Sequence, residues 1–86
     1  MDQYDFSLHQ EVLMEKGAGV LGDLFRFQQE NRIESEEHPV SVMYQLLWSA
    51  KQDILRAQTE KELDRIDGMF CLAASVVRAL EAQKTT

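Results

Sequence analysis

The stretch EKGAGVLGDLF, Glu15 to Phe25, decides the fold. Its glycines, Gly17, Gly19 and Gly22, spell G-x-G-x-x-G, the dinucleotide-binding fingerprint. That fingerprint needs a strand before it and a helix opening from it, inside a βαβ unit. Here the preceding residues, LHQEVLMEK, carry a helical pattern, and nothing further along supplies a parallel sheet. A nucleotide site is therefore not expected. The alternative is one continuous helix, because apolar residues stay in phase from Phe6 to Phe27 at about 100° per residue. On that helix Gly17 falls mid-stripe between Leu13, Val20 and Leu24, where it can admit a neighbouring helix or a bulky side chain such as Trp48. Gly19 and Gly22 fall on the polar side and only loosen the helix, by about 1 kcal/mol each relative to alanine.

Outward from this stretch the chain reads as all-α. Helix one is expected over residues 7–32, capped by Ser7. The polar, acidic segment NRIESEEHP ends in the single proline, and the residue before proline avoids helical angles. Residues 33–38 are thus an acidic loop. Helix two is expected over 39–57, with Pro39 in its first turn. Met43, Leu47, Ala50, Ile54 and Ala57 form its core seam, and Tyr44, Trp48 and Leu55 a second apolar line beside it. Thr59 and Glu62 make a capping box for helix three, expected over 60–82. Its seam is Leu63, Ile66, Phe70, Ala73, Val77 and Leu80. The short turn near Gln58 makes helices two and three an antiparallel hairpin packed along the long first helix, a three-helix assembly in one domain.

Composition narrows the function. With 86 residues and a formal charge of −6, the chain lacks the clustered Lys and Arg of a phosphate-backbone binder. Helix three opens net negative, so direct nucleic-acid binding through a helix-turn-helix is not expected. No apolar run reaches a membrane span, and the acidic N-terminus lacks the basic start of a signal peptide. A cytoplasmic protein is the expectation. Cys71, the single cysteine, sits in the apolar run GMFCLAAS and is expected to be a buried, inert thiol.

Sites of chemistry are sparse. His9 follows Asp5 by four residues and His38 follows Glu34 by four, but neither pair has zinc-ligand or di-iron spacing. Both histidines are expected on the surface without a metal, and no cofactor is expected. Ser7, Ser35, Ser41, Ser49 and Ser75 lack a nucleophile-elbow context, so no catalytic residue is assigned and an enzyme is not expected. What remains is apolar surface in excess of one small core, which Tyr44, Trp48, Leu55, Leu72 and Leu8 do not all fit. Tyr44 and Trp48, four apart on helix two, combine apolar area with polar tips. The expected function is a small acidic protein–protein interaction module, a regulator, adaptor or small chaperone, paired as a homodimer. Tyr44, Trp48 and Leu55 are the candidate partner contacts, with Glu34, Glu36 and Glu37 at an acidic edge. The alternative is an acidic inhibitor that imitates nucleic acid and blocks a basic site.

Overall fold

The computed structural model describes residues 3–84. They form three helices, α1 (Gln3–Glu30), α2 (Pro39–Ile54) and α3 (Glu60–Lys84), with no strand among the described residues. Gln10 of α1 donates to the Ile54 carbonyl at the end of α2, and Gln28 donates to Ser41 Oγ near its start. The two helices are therefore antiparallel. His9 meets Glu60 and Lys16 meets Asp67, so α1 and α3 run parallel.

The apolar stripes close into one core. Leu13, Val20, Leu24 and Phe27 of α1 meet Leu47, Ala50 and Ile54 of α2 and Leu63, Ile66, Phe70, Ala73 and Val77 of α3. Met43, Ala57 and Leu80 of the expected seams are half-buried and pack against it. The helix through Glu15–Phe25 is continuous. Gly17 is buried, and the group against it is Phe70 rather than Trp48: a Cβ at Gly17 would stand 2.8 Å from Phe70 Cζ. Nothing lies within 4 Å of a Cβ at Gly19 or Gly22.

The helix ends differ from expectation for local reasons. α1 is already helical at Gln3, so Ser7 lies inside the helix and does not cap it. It stops at Glu30 because Arg32 turns left-handed, at φ 53°. The Ile33 N–H then bonds the Gln28 carbonyl and the Arg32 N–H the Gln29 carbonyl. That pairing is a Schellman motif, which normally places glycine where Arg32 stands. α2 ends at Ile54, three residues early, in two tight turns from Arg56 N–H to the Asp53 carbonyl and from Ala57 N–H to the Ile54 carbonyl. Thr59 caps α3 as expected, its Oγ1 accepting from the Glu62 N–H at 3.2 Å. The Glu62 carboxylate reaches back to the Gln58 N–H at 2.6 Å, one residue before the cap itself. α3 runs two residues past the expected end, to Lys84.

The assembly is long and thin, 46 × 25 × 16 Å, with a radius of gyration of 14.2 Å. A compact chain of this length has a radius near 12 Å. The excess surface is where apolar side chains remain uncovered.

Candidate partner-binding surface

Tyr44 lies on the flank of α2 that turns towards α1, and Trp48, four residues on, shares that helical face. The Tyr44 ring packs against Phe25 of α1, centroids 6.4 Å apart and planes tilted by 47°. Trp48, one turn further, is 51% exposed, and Phe25 is 52% exposed. Tyr44 is half-buried against the core. The crease between α1 and α2 thus carries three aromatics, one partly anchored and two open to solvent. Leu55 continues the line to the end of α2 and is 68% exposed. The fourth helical turn ends before it, so it sits on the C-cap.

The acidic edge lies at the other end of α2. Glu34, Glu36 and Glu37 are all exposed, and no ion pair engages them among the described residues. Ser35 Oγ accepts from the Glu37 N–H and holds the loop's turn. His38 is also assigned: its Nδ1 accepts from the Val40 N–H at 3.1 Å and caps α2.

Leu8 and Leu72, both in excess of the core by sequence, each belong to a further apolar strip whose other members the sequence did not single out. Tyr4, Leu8 and Val12 recur every four residues along the outer face of α1, all exposed. Leu46 and Leu72, with Met43, Leu47, Met69, Ala73 and Val76, line a groove of about 180 Å³ between α2 and α3. Every side chain lining it is apolar. Helical phase alone places Leu46 and Trp48 on opposite flanks of α2, so the signal for a second surface was present in the spacing.

Cys71 corrects its expectation. It is exposed, and its Sγ stands 2.9 Å from Lys16 Nζ and 3.8 Å from Asp67. The Lys16 ammonium also pairs with the Asp67 carboxylate, and that hydrogen bond, then the one to Cys71, holds its pKa above the ordinary lysine value. Cys71 lies one residue past buried Phe70, hence about 100° off the seam, and the apolar composition around it obscured that phase.

His9 is likewise not a lone surface group. Its Nδ1 stands 2.7 Å from Glu60 Oε2, and Asp64 lies beside the pair. Asp5 and Glu34 do not join either histidine in a hydrogen bond or ion pair.

No helix among the described residues is long and apolar enough to cross a membrane. No curated protein and no solved structure matches the chain. One family model does, over residues 2–80, and it is described as bacterial epsilon antitoxin.

Proposed function

The chain belongs to the bacterial epsilon antitoxin family, a family of small protein regulators, and from that premise we propose that it is a non-catalytic inhibitor. It captures a protein toxin through the crease between α1 and α2. The exposed Trp48, one helical turn from the Tyr44–Phe25 pair, carries this reading. A half-exposed tryptophan leaves apolar area that water solvates poorly, while its indole N–H keeps a donor for a partner acceptor. Anchors of this type hold most of the energy in protein interfaces. Leu55 extends the contact at one end of α2. Glu34, Glu36 and Glu37 edge it at the other and, with the chain's net charge of −6, favour a partner with a basic rim.

The groove between α2 and α3 suits a different occupant, a second copy of the chain. Interfaces within homodimers are the most apolar, and this groove offers no polar side chain to orient a transient partner. Leu72→Glu converts the dimer to monomer in sedimentation; a wild-type monomer at micromolar concentration would refute the pairing. Cytoplasmic residence follows from the function.

The test is capture of the toxin by immobilised protein. Trp48→Ala weakens capture by roughly 10- to 100-fold, the size of a buried aromatic hot spot. Salt changes wild-type capture little. If the acidic loop instead imitates nucleic acid, capture collapses with salt and with neutralisation of Glu34, Glu36 and Glu37, while Trp48→Ala leaves it intact.

A further inference from the structure

We propose that His9, Glu60 and Asp64 form a binding site for one borderline divalent cation, of which Zn²⁺ is the type. The three residues come from two helices and lie 51 positions apart at their widest bonded pair, His9 and Glu60. Each offers one ligand atom, and these atoms all lie within 4.8 Å of one another. Glu60 and Asp64 are four apart in α3, so one helix face presents both carboxylates. His9 enters from the α3-facing flank of α1 and stands 2.7 Å from Glu60 Oε2.

An ion pair accounts for only part of this arrangement. His9 can satisfy Glu60, but Asp64 is then a second carboxylate beside the first, and no cation among the described residues pairs with it. A divalent ion neutralises both. The start of α3 contributes a fraction of a positive charge, roughly half of one, which two full carboxylate charges outweigh.

The ligand set selects the metal class. One imidazole nitrogen with two carboxylate oxygens suits Zn²⁺, Co²⁺ or Ni²⁺, whereas Mg²⁺ prefers oxygen alone and gives up water reluctantly. Zinc–ligand bonds of about 2.0–2.2 Å at tetrahedral angles place ligand atoms about 3.3–3.6 Å apart. The His9–Glu60 separation is 2.7 Å and no other exceeds 4.8 Å, so rotations of partly exposed side chains complete the site, with water in the open position. His9 and Glu60 are each about a quarter exposed, which leaves the ion a route in. Occupancy clasps the N-terminal part of α1 to the start of α3. The site is on the α3 side of α1, away from the Tyr44–Trp48 crease, and stands whether or not the toxin-capture reading does.

The test uses the untagged full chain, stripped with a chelator and titrated with zinc chloride. Calorimetry reads stoichiometry, thermal unfolding reads stabilisation, and Co²⁺ substitution reads coordination through its visible absorption. We expect one ion per chain and a Tm rise of roughly 10–20 °C once free zinc is about 100-fold above its Kd. Mg²⁺ at the same concentration gives no rise. His9→Ala and Asp64→Asn each abolish binding, and His38→Ala keeps it. Asp64 is exposed, so its variant folds and remains decisive if His9→Ala does not. Absence of saturable one-to-one binding, binding that survives Asp64→Asn, or loss in His38→Ala overturns the proposal.

Discussion

Gly17→Ala and Gly22→Ala make the same chemical change on the same helix and should move stability in opposite directions. In an exposed helix interior, alanine is better than glycine by about 1 kcal/mol. Gly22 gains that, as does Gly19, because nothing meets the new Cβ within 4 Å. At Gly17 the Cβ would lie 2.8 Å from Phe70 Cζ and 3.0 Å from Cε2. Ordinary contact begins near 3.4 Å, so the ring must retreat by about 0.6 Å. Phe70 is 0% exposed and enclosed by the core, and a phenyl ring has no flexible end to swing aside. Overpacking of this kind costs about 1–3 kcal/mol. Setting the propensity gain against it leaves Gly17→Ala destabilised by about 0–2 kcal/mol, and the gap to Gly22→Ala at about 1–3 kcal/mol. Urea unfolding at one protein concentration reads this as a change in midpoint at constant m. Phe70→Leu supplies the second arm: with the ring tip gone, Gly17→Ala becomes stabilising. If Gly17→Ala stabilises the wild-type background as much as Gly22→Ala does, the account of the α1–α3 contact is refuted.

Other expectations rest on single contacts. Arg32→Gly relieves a left-handed residue at the end of α1 and raises stability by about 0.5–1 kcal/mol in the same urea assay. His38→Ala removes the α2 cap and costs about 1 kcal/mol, whereas His38→Asn, a better capping residue, costs less. Lys16→Met removes the pair with Asp67, which is a third exposed and so worth less than about 1 kcal/mol at neutral pH. Because the Lys16 pKa is raised in the folded chain, that contribution is complete below the unfolded lysine value of about 10.4 and vanishes as pH climbs through the folded value. Stability curves of wild type and Lys16→Met should therefore stay apart at neutral pH and converge in strong alkali. Trp48→Ala lowers the unfolding free energy by only about 1 kcal/mol, since half of the side chain is already in water.

The periodic features were legible in the sequence. The seams of α2 and α3, the continuity of α1 through Gly17–Gly22 and the Thr59 cap all follow from spacing within one helix. What spacing does not encode is the register between helices. Gly17 was recognisable as a site of close approach, but its neighbour Phe70 depends on how far α3 slides along α1. The same holds for His9, whose partners Glu60 and Asp64 come from the far end of the chain. Cys71 was misjudged for another reason: its neighbours in sequence are apolar, but its phase on α3 points it at Lys16. The Tyr44–Trp48 line was visible as an excess of apolar residues over seam positions. Phe25, which joins that line from α1, reads in sequence as the flank of a core stripe.

The most direct measurement is equilibrium binding of the purified toxin to wild type, Trp48→Ala and a Glu34→Gln, Glu36→Gln, Glu37→Gln triple variant, each at low and high salt. The toxin is identified beforehand by capture from the native host. The account predicts that Trp48→Ala raises Kd by roughly 10- to 100-fold at both salt concentrations, while the triple variant and salt each change it only a few-fold. Wild-type affinity in Trp48→Ala, with binding lost in the triple variant and at high salt, would contradict it.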